Sequence, residues 1–128
     1  MRILLDTCTF LWIITDDPNL SEKARLLFSE KNNDVFLSAA SAWEITVKYN
    51  LGKLALPFEP KQYIPEQRKL HQIESLSLKE ESTFFLTKLP DFHKDPFDRI
   101  LICQAITLDL IILTPDQHIT RYPVRTDW

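Results

Sequence analysis

Four acidic residues stand where this chain is expected to leave a strand or to begin a helix. They are Asp6 after MRILL, Glu44 within SAASAWEI, Asp98 within HKDPFDRILICQA and Asp116 after LIILTP. In a parallel α/β sheet, such positions meet at the carboxyl edge of the strands, where ligands of open sheets bind. Carboxylates that converge repel one another, and a divalent cation bound through oxygen ligands relieves that repulsion. The four acids therefore predict a metal site.

Each acid also has an ordinary structural role when it is considered alone. Asp95 and Asp98 fit the first turn of a helix, where carboxylates accept hydrogen bonds from free backbone amides. Ser41 and Glu44 fit a capping box, and Glu44 could instead pair with Lys48 one turn later. The two interpretations differ in whether the acids lie together in space.

Apolar runs and turn residues divide the chain into alternating strands and helices. Strands are expected at 2–5, 35–37, 72–75 and 111–113, with a last extended segment at 122–125 on a sheet edge. Helices are expected at 10–17, 21–31, 38–52 with Ser38 or Ser41 as cap, 61–70 in irregular form, 77–86 and 95–108. This alternation predicts one α/β domain over residues 1–128, with a parallel sheet of about five strands and helices on both faces.

The composition favours a globular domain without a membrane segment. The chain has 128 residues, 45% of them hydrophobic, which is enough to bury a core without disulfides. It lacks an apolar run that could cross a bilayer, and an acid interrupts MRILLDTCTF where a signal peptide needs apolar residues. A cytoplasmic protein is therefore expected. The net charge of −3 argues against coating nucleic acid by bulk electrostatics, but an acidic site can process a polyanion through a bound cation.

Other kinds of site have weaker support in the sequence. Gly52 is the only glycine, so a glycine-rich phosphate loop is absent. A cysteine–histidine hydrolase would need Cys8 or Cys103 beside a histidine, yet both cysteines have apolar neighbours and are expected in the core. Two cysteines do not provide the paired spacing of a zinc site.

Four segments of the chain carry a resemblance to a known family. They are DTCTFLW, SAASAWEI followed by KYNLGKL, HKDPFDRILICQA, and LTPD. Together they resemble the PIN-domain ribonucleases, in particular the VapC-type toxins of bacterial toxin–antitoxin pairs, over nearly the whole chain. The DPFDR segment with its trailing apolar helix is the most specific part. The resemblance implies four metal-binding catalytic acids and two assisting hydroxyls: Asp6, Glu44, Asp98, Asp116, Thr7 and Thr114.

The chemistry implied by the resemblance is hydrolysis of RNA phosphodiester bonds with Mg²⁺ or Mn²⁺. With two ions, three acids would hold the first, and Glu44 with Asp98 would hold or position the second. Asp95 is a further candidate for the site, although the proline after it favours a helix cap. Three basic residues could steer the RNA backbone or be plain solvated charges: Lys48, Lys53 and Arg99.

The resemblance also implies partners. A cognate antitoxin would hold the nuclease in check, and a homodimer is expected, for which Phe10, Trp12 and Phe28 could form either an interface or part of the core. Two alternatives stay open: a solitary RNA-processing nuclease of the same fold, and a binding module without catalytic activity.

Overall fold

Five parallel strands form the sheet of this protein, seen in a computed structural model that describes residues 1–128. Their order across the sheet is β3-β2-β1-β4-β5, so the first strand lies at the centre between β2 and β4. The predicted parallel α/β sheet is confirmed. The strands are β1 (Arg2–Leu5), β2 (Asp34–Ser38), β3 (Glu74–Leu76), β4 (Ile111–Leu113) and β5 (Thr126–Asp127).

Seven α-helices connect the strands, with a 3₁₀ turn at Phe85–Lys88. They are α1 (Thr7–Ile14), α2 (Glu22–Ser29), α3 (Ala39–Asn50), α4 (Pro60–Leu70), α5 (Glu80–Phe84), α6 (Pro96–Leu108) and α7 (Gln117–Thr120). None of these helices combines the length and the apolar character needed to cross a membrane.

Alternate residues of β1 face opposite sides of the sheet, as the period of a strand requires. Ile3 and Leu5 belong to an apolar cluster that includes buried residues of α1, α2, α3 and α4. Leu4 belongs to a second cluster, which contains Leu101 and Ile102 of α6. Helices therefore cover both faces, as predicted, and β1 is buried on both sides.

Two local predictions were wrong. Helix α5 begins at Glu80 with Lys79 as its cap, not at Ser77, because strand β3 extends to Leu76 and the chain needs the next residues to leave the sheet. Of the two caps predicted for α3, Ser38 is the one observed, and it accepts a hydrogen bond from the Ala40 amide over 3.0 Å.

The last strand is also displaced from its predicted position. The predicted extended segment at 122–125 contains a turn, and the edge strand is Thr126–Asp127. Tyr122 explains this displacement, because the residue is buried with only 3% of its surface exposed. Burial of a large aromatic ring outweighs the extended preference of the neighbouring residues.

Phe10 is a core residue and not the interface residue considered above. Its ring is fully buried in the cluster on the α1 side of the sheet, while Trp12 and Phe28 are half-buried against the same cluster. We expect Phe10→Ala to lower the free energy of unfolding by about 3–5 kcal/mol because it leaves a cavity in close-packed surroundings. Urea denaturation followed by circular dichroism measures this loss, and Phe58→Ala, at a ring with 52% of its surface exposed, is the matched control.

Candidate active site

Asp6 follows the central strand β1, Thr114 follows its neighbour β4, and the two residues meet at the carboxyl edge of the sheet. Strands β1 and β4 pair Leu5 with Leu113, so the residues after them are neighbours. The Thr114 hydroxyl donates a short hydrogen bond to Asp6 Oδ2, and the Thr9 amide donates to Asp6 Oδ1 over 2.7 Å as Asp6 caps α1. Asp6 is 4% exposed, and this burial raises the pKa of its carboxyl.

Glu44 lies in the second turn of α3 and points toward the start of α1. The Thr7 hydroxyl donates to Glu44 Oε1 over 2.7 Å, and the buried Ser41 hydroxyl lies 3.0 Å from Thr7 Oγ1. The other Glu44 oxygen accepts from Lys48 Nζ over 2.8 Å, which confirms the pairing one turn apart that the sequence allowed. A carboxylate that is nearly buried is thus held by one hydroxyl group and one ammonium group, and Ser41 contacts the hydroxyl.

Asp98 stands in the first turn of α6, and Asp95 caps that helix. Asp95 Oδ1 accepts hydrogen bonds from the amides of Phe97 and Asp98 over 2.9 and 3.1 Å, which confirms the predicted cap. Asp98 Oδ2 lies 3.0 Å from His93 Nε2. Burial, followed by the nearby charges of Asp95 and Asp116, raises the pKa of Asp98 to about 6, although the bond with His93 lowers it.

Asp116 begins α7 and is linked to Asp6 through one hydroxyl. Its amide donates to Thr114 Oγ1 over 3.0 Å, and Thr114 in turn donates to Asp6. Asp116 Oδ1 accepts from the His118 amide over 2.9 Å, so the capping role is filled as well. Asp116 therefore caps α7 and is at the same time linked to Asp6 through Thr114.

Three of the four acids influence one another, but the acids do not form a ready-made metal cage. The charge of Asp116 raises the pKa of both Asp6 and Asp98, after the larger effect of burial. Even so, no group of three or more His, Cys, Asp or Glu side chains is placed to hold a metal ion. Each carboxylate is instead occupied by a neighbour from the chain: Thr114 on Asp6, Lys48 on Glu44, His93 on Asp98 and the His118 amide on Asp116.

The three basic residues considered for RNA steering have different surroundings. Arg99 Nη1 donates to the carbonyl oxygens of Pro90 and His93 and to the Tyr122 hydroxyl, and its side chain is only 13% exposed. This geometry favours a structural role for Arg99 over contact with a phosphate. Lys48 is paired with Glu44, whereas Lys53 is exposed.

Cys8 is exposed at the start of α1 rather than buried as predicted, because its position on α1 turns away from the core side that holds Phe10. Partial burial, followed by the charge of Asp6, raises the pKa of the Cys8 thiol. A thiol held in its neutral form is a poor nucleophile, which weakens the cysteine hydrolase alternative further. Cys103 is buried as expected.

Sequence reasoning missed two groups near the acids. The Ser41 hydroxyl, which contacts Thr7, was considered only as a helix cap, and His93, which contacts Asp98, was not singled out, although it stands five residues before Asp98 in the HKDPFDRILICQA segment. A histidine so close to a helix start was the available signal. Its partner Tyr122 is distant in sequence, and only the fold brings it near.

Comparison with known proteins assigns the chain to a family. The family model of the PIN domain matches residues 3–124. The chain belongs to the PIN-domain family. The match covers all four acids and every strand of the PIN domain except β5, and it confirms the family that the sequence resembled.

Relatives of this PIN domain include a VapC protein and VapBC complexes. The chain is similar to Ribonuclease VapC16 of Mycobacterium tuberculosis, with 40% identity over 47 residues, covering 37% of the chain and only 33% of the relative's length. Its fold is similar to VapBC2 from Rickettsia felis bound to a DNA fragment from their promoter (TM-score 0.68, 20% identity, covering 99% of this chain and 98% of that one). A second similar structure is VapBC-1 from nontypeable Haemophilus influenzae (TM-score 0.65, 18% identity, 99% and 97%). With identities of 20% and 18%, these two structures show that the fold is similar.

Proposed function

We propose that this protein is a Mg²⁺- or Mn²⁺-dependent endoribonuclease toxin that hydrolyses RNA phosphodiester bonds and is neutralised by a cognate antitoxin. The observation that carries the proposal is the set of four acids at the carboxyl edge of a PIN-domain sheet. Two of these acids, Asp6 and Glu44, are nearly buried. Burial of an ionised carboxylate costs folding free energy, and buried acids of this kind are common at functional sites.

The side chains at this edge suit a hard divalent cation. Mg²⁺ and Mn²⁺ bind carboxylate oxygens, whereas the thiol nearby, Cys8, stays in its neutral form. Burial is the main cause of the raised pKa values of Asp6 and Asp98, nearby negative charge adds to it, and a bound cation would favour the ionised carboxylates. When bound, such an ion activates water, neutralises the phosphate and stabilises the leaving oxygen.

Within this proposal the side chains have distinct roles. Asp6, Asp98 and Asp116 would hold the first ion, and Glu44 with Asp98 would hold or position a second. Thr114 orients the first group, because its hydroxyl contacts Asp6 and accepts from the Asp116 amide. Thr7 orients Glu44 through its 2.7 Å hydrogen bond. An ion held by Glu44 would compete with Lys48 for that carboxylate.

We expect RNA cleavage by the purified protein to depend entirely on the divalent ion. A defined RNA pool incubated with Mg²⁺ or Mn²⁺ should be cut at discrete positions, with 5′-phosphate and 3′-hydroxyl ends, and excess EDTA should reduce cleavage to background. Restoring Mn²⁺ after EDTA should recover the rate. Sequencing of the fragment ends measures both the positions and the chemistry. Cleavage that survives EDTA would contradict the metal-dependent mechanism.

The antitoxin part of the proposal is supported by the relatives, which include a VapC ribonuclease and VapBC complexes. The protein encoded by the neighbouring gene should suppress cleavage when it is mixed with the nuclease at equal concentration. Absence of such a gene would favour the solitary RNA-processing nuclease. RNA binding without metal-dependent cleavage would favour the binding module. The homodimer stays a prediction, which sedimentation of the purified protein can measure.

A further inference from the structure

Four groups form a line of hydrogen bonds that ends on the carboxylate of Asp98. Tyr122 Oη receives a hydrogen bond from Arg99 Nη1 over 3.0 Å and another from the backbone N–H of His93 over 3.1 Å. His93 Nδ1 lies 2.8 Å from the same hydroxyl, and His93 Nε2 lies 3.0 Å from Asp98 Oδ2. The line joins the turn after α7, the loop before α6 and the first turn of α6.

The donors in this line determine which ring nitrogen of His93 carries the proton. A phenol oxygen has two lone pairs and one proton. Both lone pairs of Tyr122 Oη face N–H donors, so its O–H is left to donate, and His93 Nδ1 at 2.8 Å is closer than the His93 carbonyl oxygen at 3.5 Å. An Nδ1 that accepts requires neutral imidazole to hold its proton on Nε2. That N–H then points at Asp98.

The rings in this line are fixed by packing as well as by hydrogen bonds. Tyr122 is 3% exposed and contacts Phe92 edge to face, with ring centroids 5.0 Å apart. The His93 ring stacks on His118 with centroids 5.6 Å apart and planes within 4° of parallel. Neither ring can turn without losing contacts, so Asp98 has a partner of fixed orientation.

We propose that Tyr122 and His93 are positioning residues that set the Nε2–H tautomer of His93, hold Asp98 Oδ2 and leave Asp98 Oδ1 free to bind a divalent ion. The role in metal binding rests on the proposed function. Carboxylate ligands depend on hydrogen bonds of this kind, and loss of such outer partners costs about 10–100-fold in metal affinity or activity.

The first experiment measures Mn²⁺ binding without RNA, by electron paramagnetic resonance of the free ion. Tyr122→Phe keeps the buried ring and removes only the hydroxyl, and it should weaken Mn²⁺ binding by about 10–100-fold. Tyr63→Phe, which removes the hydroxyl of another buried tyrosine on α4, should leave binding unchanged. Binding by Tyr122→Phe equal to that of the unmodified protein would overturn the proposal.

The second experiment separates positioning from packing by a double-mutant cycle. His93→Gln retains a side-chain N–H for Asp98 but does not need Tyr122 to orient a ring proton. It should recover most of the Mn²⁺ affinity that His93→Ala loses. In the His93→Gln background, Tyr122→Phe should change the affinity by less than about twofold. Effects of the two substitutions that simply multiply would show that Tyr122 does not act through His93 and would overturn the proposal.

A third measurement needs neither metal nor RNA. The ¹⁵N chemical shifts of the His93 ring should report the Nε2–H tautomer in the metal-free protein and a mixture of tautomers in Tyr122→Phe. An Nδ1–H tautomer in the unmodified protein would overturn the proposal. These outcomes are distinct from failure of the nuclease function, because Mn²⁺ binding and the tautomer can be as expected in a protein that cuts no RNA.

Discussion

Asp6→Asn protein is expected to lose RNA cleavage by about 10³-fold while its melting temperature stays equal to that of the unmodified protein or rises. Asp6 would be a ligand of the ion that neutralises the phosphate, and loss of one preorganised electrostatic group at a catalytic site has an effect of about this order. The stability follows from burial, which raises the pKa of Asp6 and makes its ionised form costly at neutral pH. A neutral amide of the same size removes that cost and can still accept from the Thr9 amide.

Cleavage rates on a defined RNA with saturating Mg²⁺, together with differential scanning calorimetry, measure the two effects. Asp109→Asn is the matched control, because it also removes one negative charge but from a side chain that is 87% exposed and paired only with exposed Arg125. An active Asp6→Asn protein would remove Asp6 from the catalytic site. A large drop in the melting temperature of Asp6→Asn protein would mean that the fold needs this carboxylate.

Mn²⁺ affinity is expected to be about tenfold weaker at pH 5 than at pH 7. Asp98, with a pKa of about 6, holds a proton below that pH, and a proton competes with the ion for the same oxygens. Affinity should therefore fall as pH drops below about 6 and level off above it. Titration with Mn²⁺ at pH 5, 6, 7 and 8 measures this, and Asp98→Asn should flatten the curve. An affinity independent of pH would contradict it.

The same pKa determines how the metal-free protein responds to pH. A carboxyl whose pKa is raised on folding stabilises the folded state below its usual pKa of 3.8, and that contribution is lost as the pH rises through about 6. The metal-free protein should thus become less stable between about pH 4 and pH 6 as far as Asp98 is concerned. Mg²⁺ should restore stability above this range, because it binds only the ionised form.

Local signals were sufficient to predict the elements that position the acids. The apolar runs before Asp6 and Asp116 correspond to β1 and β4, and Asp95 followed by a proline marked the start of α6 within one residue. In each case a few neighbouring residues determine the element. An uninterrupted apolar run indicates a buried strand, and a carboxylate followed by proline indicates the start of a helix.

Errors occurred where distant contacts override local preference. The capping pattern at Ser77 did not start a helix, because β3 pairs with β2 just before it. Residues 122–125 do not form a strand, because Tyr122 is buried. The partners of the acids were equally hidden, because His93 and Tyr122 are 29 residues apart and meet only in the folded chain. The placement of the acids themselves as site residues remains a prediction that the Asp6 and Asp98 experiments address.

The central strand β1 pairs with β4, which comes much later in the chain, and the contact between Asp6 and Thr114 joins residues 108 positions apart. A ribosome that has translated β1 but not yet β4 therefore carries a sheet that lacks one side of the proposed site. If the protein degrades RNA as proposed, this order of synthesis postpones activity until β4 and Asp116 have been translated, which protects the messenger and the ribosome that produce it.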